Sequence, residues 1–277
     1  MTLKDSSFVK TNPDAKLPIF RRDTLLSWRG LVGWSAGLIA VCALYLPIYP
    51  AMAGDDLQNL LANLPSELID TLGYSDISSG AGYLQAAVFG LLGFIFLTIA
   101  GVSWGAAAIA GTEESGSLEL TLAHGISRFQ YALQAACAII VKLLILGSIT
   151  FLTILAFNKP SQINVAVAGI LAATLAWVGL GALTAMVSLC FGAMTGSRKW
   201  AIGAGSAVAV AGYVFQALAN NSERLKWLDS ISPFSWAYEA DPLTNGFDWG
   251  GLALLWGFSL LFLVAAIAAL MRRDIKG

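Results

Sequence analysis

The chain has 277 residues, of which 57% are hydrophobic and 12% charged, and its formal net charge is -1. Soluble domains carry about a quarter charged residues, so a water-facing coat of ordinary size is excluded. The near-neutral balance also excludes an overall basic field that would gather nucleic acid.

Residues 1–29 are polar and basic, with no short apolar core followed by a small-residue cleavage site. No cleavable signal peptide is expected, and the apolar run that begins at Gly30 reads as a retained span. Just before it, in residues 17–30, Phe20, Thr24 and Trp28 recur at helical spacing, with Leu25 beside them and basic residues between. Pro18 suits a first helical turn. This stretch predicts an amphipathic helix lying along the headgroups.

A bilayer core about 30 Å thick needs roughly 20 apolar residues in a helix. Six stretches reach that length: 31–49, 83–110, 131–157, 163–191, 200–219 and 250–271. Glycines recur in them (Gly90, Gly93, Gly101 and Gly105; Gly179 and Gly181; Gly203 and Gly205), and small residues let helices approach closely in lipid. A barrel would show ten-residue alternation instead. The fold class is therefore an all-α polytopic membrane protein with six transmembrane helices.

Orientation follows from Lys and Arg near the span ends. With the N-terminus inside, the inner side receives Lys4, Lys10, Lys16, Arg21, Arg22, Arg29, Arg128, Arg198, Lys199, Arg272, Arg273 and Lys276. The outer side receives only Lys159, Arg224 and Lys226. Both termini and the loop 111–129 are expected in the cytoplasm.

The first outer loop, 50–82, has no Lys or Arg, and its Leu57, Leu60, Leu61, Leu64 and Leu68 follow amphipathic helical spacing, interrupted at Pro65. The loop 220–249 mixes charges with Trp227, Phe234, Trp236, Tyr238, Phe247 and Trp249. Aromatic residues concentrate at membrane interfaces, and Ser232-Pro233 and Asp241-Pro242 are turn or helix-start signals. Short outer helices are expected there.

Chemistry-bearing motifs are few. No Gly-Lys-Ser or Gly-Lys-Thr occurs, so the chain has no phosphate-cradling loop of its own. His124 is the only histidine, and no paired-cysteine motif exists; Cys42, Cys137 and Cys190 are scattered through apolar runs. No metal, cofactor or catalytic residue is assigned. Ion-coupled transport needs titratable groups at membrane depth, yet the six runs hold no deep Asp or Glu. Their one deep charge is Lys142, about 16 Å along its helix from Tyr131. It reads either as a pathway or dimer-interface charge, or as a cation snorkelling to or paired with a neighbouring group. If transport is driven, the energy should come from elsewhere.

Between the second and third spans, residues 111–129 read Gly-Thr-Glu-Glu-Ser-Gly-Ser-Leu-Glu-Leu-Thr-Leu-Ala-His-Gly-Ile-Ser-Arg-Phe. Gly111 and Gly116 permit a sharp exit from the membrane. Leu118, Leu120 and Leu122 alternate with Glu119 and Thr121, so period alone fits a strand or a helix; the position between two helices favours a short helix. A patch of acids and leucines suits docking into a groove with basic and apolar walls.

This loop resembles the one that follows the second span in the ABC-2 family of ATP-binding-cassette transporter permeases, where a glycine, acids, leucines and a Ser-Arg pair recur. Two further stretches are similar to that family: Ile-Ser-Pro-Phe-Ser-Trp-Ala-Tyr-Glu-Ala-Asp-Pro-Leu at 231–243, before the last span, and the closing Arg272-Arg273-Asp274-Ile275. The resemblance implies a single permease domain over 1–277, with a basic segment and elbow helix in 1–30, a six-helix bundle in 31–271 and a tail in 272–277. It implies a half-transporter that pairs with a second permease copy or a homologue in a bacterial cell membrane. Two separate ABC ATPase subunits would bind ATP and magnesium. A coupling helix would seat on them through Glu113, Glu114, Leu118, Glu119 and Leu122. Alternating access would then export a drug, a lipid, a peptide or a similar substrate. The alternatives are an ATP-independent transporter or channel, and a non-transporting assembly or sensor protein.

Overall fold

A computed structural model describes residues 18–52 and 79–273, and among these it has helices and turns but no strand. Helix α1 is Pro18–Tyr45, prolonged by a 3-10 turn Leu46–Ile48 and a last helical turn Tyr49–Met52. Then follow α2 (Gly80–Glu114), α3 (Ser117–Ala123), α4 (Arg128–Asn158), α5 (Val167–Thr195) and α6 (Arg198–Asn221). A 3-10 helix Glu223–Ile231, α7 (Pro233–Tyr238) and α8 (Pro242–Asn245) lead into α9 (Trp249–Arg272). Among the described residues six helices are long and apolar enough to cross a membrane, in the places that the hydrophobic runs predict. The leucine-bearing stretch around Pro65 lies outside the described residues.

Three local features differ from the simple reading. The basic stretch 18–30 is helical but does not end before the first span: α1 runs through Gly30 and Gly33 without a break. An isolated glycine weakens a helix without stopping it, and no proline follows until Pro47. Pro18–Gly30 is therefore one helix with the span, and a separate elbow is not distinguished. Second, α5 begins at Val167 and not at residue 163. The Asn158 side chain takes the Val165 N–H (3.1 Å) and donates to the Val165 carbonyl (2.9 Å), which holds 159–166 as a turn. Third, α2 contains two π turns, Gln85–Gly90 and Ala107–Gly111.

Helix α5 is the axis of the bundle. Nearly its whole length is buried, and Trp177, Leu183, Met186 and Leu189 contribute to one continuous core. Against it α2 packs at backbone distance. A Cβ at Gly101 would stand 3.0 Å from the Gly181 carbonyl oxygen, and one at Gly105 only 2.4 Å from that of Ala185. Ser188 Oγ completes the seam with a hydrogen bond to the Val102 carbonyl at 3.0 Å. In lipid there is little hydrophobic gain from bringing helices together, so such contact packing and cross-helix hydrogen bonds hold the bundle.

At the outer end, Ser232 N-caps α7 and Pro233 opens it, as the Ser-Pro signal predicts. Pro242 likewise opens α8. The Phe234 ring sits edge-on to Phe94, Tyr213 and Tyr238 at 4.9–5.3 Å, and Ser232 Oγ donates to the Gly212 carbonyl at 2.7 Å. The loop is thus fastened on α2 and α6. Burial pushes the Tyr238 phenol well above its ordinary pKa, so it stays a neutral donor toward the Phe89 carbonyl in the first π turn.

The one deep cation is paired. Lys142, 2% exposed on α4, places its Nζ 2.7 Å from the Asp23 carboxylate of α1 and 4.9 Å from the ring centre of Trp104 on α2. The two helices run parallel here: Gln134, two turns earlier on α4, accepts the N–H groups of Ile19 (3.0 Å) and Phe20 (3.3 Å) at the start of α1. From Gln134 to Lys142 is about 12 Å of rise, and from Ile19 to Asp23 about 6 Å. The lysine makes up the difference by reaching back toward its own helix N-terminus, the direction in which helical side chains lean.

Two outcomes follow for the detergent-solubilised protein. Gly105→Val forces α2 off the α5 backbone and should destabilise by about 1–3 kcal/mol, the usual cost of overpacking, read as a lower Tm. Asp23→Asn strands a buried ammonium and should cost about 2 kcal/mol, less than a fully buried pair because Asp23 is part-exposed. Adding Lys142→Met to Asp23→Asn should recover most of that loss.

Candidate functional site

The candidate site is built where α2 turns into α3. Helix α2 closes on Thr112, Glu113 and Glu114, and the chain reverses at Gly116, whose φ of +68 lies in the left-handed region where glycine is at no disadvantage. The seven residues Ser117–Ala123 form α3, so the leucine-rich stretch is helical. Gly125 (φ +86) and Ser127 start the next segment, with Ser127 Oγ capping the N–H of Gln130 at 3.1 Å.

A helical period divides the leucines. Leu118 is fully buried in the bundle core, and Leu122 and Ile126, four and eight residues on, pack against the same core. On the opposite side Glu119, Leu120, Ala123 and His124 are exposed, with Leu120 at 64%. The ring of His124 folds back on the Leu120 carbonyl. Of the five residues predicted for docking, Glu119 therefore faces outward while Leu118 and Leu122 form the inner stripe. Leu120 was absent from that set. The short helix that the position between two spans favours already separates it, because residues 118 and 122 share one helical face and 120 lies on the other.

Glu113 and Glu114 enter contacts within the chain. The Glu113 carboxylate, 9% exposed, is bound by the guanidinium of Arg273 at the end of α9. Glu114 Oε1 accepts the Arg198 backbone N–H at 2.7 Å, at the first turn of α6. The first N–H groups of a helix have no partner within it, and a carboxylate there also meets the positive end of the helix dipole. Arg128, which opens α4, does the converse for α9: its Nη1 donates to the carbonyls of Leu270 (3.1 Å), Met271 (3.4 Å) and Arg273 (2.7 Å). Between α5 and α6 the chain passes this cluster at Gly196 (φ +66), where a Cβ would stand 2.3 Å from Arg273 Nη1 and 2.6 Å from Glu113 Oε1.

Beneath these contacts the second π turn is held by a phenol. Tyr131 Oη on α4 donates to the Ala108 carbonyl (2.9 Å) and meets Thr112 Oγ1 at 3.0 Å. Lys142 is remote from this cluster, engaged with Asp23 as described. Among the described residues no group of three or more His, Cys, Asp or Glu side chains is placed to hold a metal. The arrangement has the form of a mechanical junction: an exposed helical face in front, and behind it the ends of α2, α4, α6 and α9 fixed by charge-assisted contacts.

A family model described as ABC-2 family transporter protein matches residues 17–275, taking in all six spans and the α3 junction. No curated protein matches the chain. With six membrane helices and a match over nearly its full length, the chain belongs to the ABC-2 family of transporter membrane proteins.

Proposed function

We propose that this ABC-2 permease subunit is the membrane half of an ATP-driven exporter, and that the outward face of α3 is where it receives motion from a separate ATPase subunit. The observation that carries this is the division of α3. A seven-residue helix with an inner stripe anchored in the bundle leaves Leu120 and Glu119 uncovered on its other side. A large aliphatic side chain beside a carboxylate, on a rigidly backed helix, fits a groove with apolar walls and a basic rim. Leu118 and Leu122 anchor that face from behind, while Glu113 and Glu114 hold the chain before it to neighbouring helix ends.

In this reading the junction and both ends of the chain lie in the cytoplasm of a bacterial cell, in keeping with the excess of Lys and Arg on that side. Two ATPase subunits bind ATP and magnesium, and two permease copies, identical or homologous, line the route. Closure of the ATPase pair displaces α3, and the attached spans tilt toward an outward-open state. The permease itself makes and breaks no covalent bond. Its cargo is left as a broad class, a drug, a lipid or a peptide-like molecule.

The test is retention of the ATPase subunit by affinity-tagged permease purified from its native host. Leu120→Asp combined with Glu119→Lys should weaken retention at least tenfold, about what the loss of one buried leucine predicts, while the Tm of the permease stays within a degree or two. Wild-type retention by the double variant would overturn the assignment of this face.

A further inference from the structure

Helix α3 is joined by the chain to α2 and α4 alone, yet its motion has to reach the rest of the bundle. Two side chains bridge the gap to α9. Glu113, on the last turn of α2, holds Arg273, and Arg128, on the first turn of α4, holds the closing carbonyls of α9. One residue on either side of α3 in the chain therefore grips the same helix end. A third tie, from Glu114 to the Arg198 N–H, extends to the start of α6.

We propose that Glu113 and Arg273 are positioning residues of the coupling step: they carry displacement of α3 into α9, the last membrane helix, which is not next to it in the chain. The proposal rests on the reading of α3 as the ATPase-facing element and adds the path beyond it. Charge-assisted hydrogen bonds are short, directional and about twice as strong as neutral ones, so this contact resists both separation and shear. Its partners are fixed from behind as well. Glu113 lies two residues beyond a π turn braced by Tyr131, and Arg273 follows the last residue of a helix whose closing carbonyls Arg128 fills. Gly196 leaves the pair its space, and any side chain there would enter the site of the ion pair. A residue that merely capped a helix end would not need a partner fixed at both sides.

Hydrogen exchange separates transmission from support. In the permease alone, Glu113→Gln should speed amide exchange in the last turn of α9 about tenfold, the scale of one charge-assisted hydrogen bond. Arg273→Gln should do the same, the double variant should exceed neither single one, and the swap Glu113→Arg with Arg273→Glu should restore slow exchange. In the complex with its ATPase in lipid nanodiscs, ATP with vanadate should change exchange in both α3 and the end of α9 for the wild type. In Glu113→Gln the α3 response should persist with the ATPase still bound, while the α9 response falls at least threefold and returns in the swap. An α9 response equal to wild type in Glu113→Gln overturns the transmission path, as does unaltered α9 exchange in that variant alone. Loss of the ATPase from Glu113→Gln overturns it differently, by placing Glu113 in the docking face. The docking reading itself stands or falls on the separate variant at Glu119 and Leu120.

Discussion

The backbones of α2 and α5 meet without a side chain between them at Gly105, and most of the bundle takes its shape from that seam. Helix α5 is covered along most of its length, so α2, α4, α6 and α9 are placed by how they pack around it, while α1 lies outside them against α4 and α2. Gly101 and Gly105 set the distance, and the Ser188 hydrogen bond to Val102 fixes the register. Because α2 cannot roll freely on such a seam, the residues that continue it below the membrane emerge at a defined angle. Position in the core thus becomes direction at the junction.

Three long polar side chains of this protein reach helix ends other than their own. Gln134 covers the first N–H groups of α1, Glu114 those of α6, and Arg128 the last carbonyls of α9. Each comes from a residue distant in the chain, so each cap is also a tie between helices. Inside lipid an unmatched backbone group costs several kcal/mol. Tying two helices by satisfying one of them costs little beyond ordering the side chain. The pair of Lys142 with Asp23 belongs to the same economy of contacts. It locks the start of α1 to α4 and Trp104 while keeping the ammonium buried.

Much of this was legible in the residues. The six runs, the all-helical class, the Ser-Pro and Asp-Pro helix starts and the family resemblance depend on composition and local order, which the chain carries openly. What escaped was partnership across the sequence. Lys142 announced that something had to neutralise it, but Asp23 sits 119 positions away in a stretch dominated by arginines, and nothing local distinguishes it. Glu113 and Glu114 looked like a surface patch because an acidic loop has no visible counter-charges. Arg273 and the Arg198 N–H stand beside them only once the helices are assembled. The strand-like alternation of Leu118, Leu120 and Leu122 concealed which of the three would face outward, and helical geometry resolved it.

The π turn at Ala107–Gly111 bears on all of this. Down α2 a row of residues spaced by four meets α5, at Gly93, Leu97, Gly101 and Gly105, and past the start of the π turn Ala110 meets Gly192 after an interval of five. One additional residue within a turn rotates everything beyond it by about 100° around the axis. The two glutamates that follow are thereby aimed at the neighbouring helix ends. Were the turn an ordinary one, the same glutamates would point about a quarter-turn away from those helix ends. A single inserted residue sets whether this helix ends free or ends engaged.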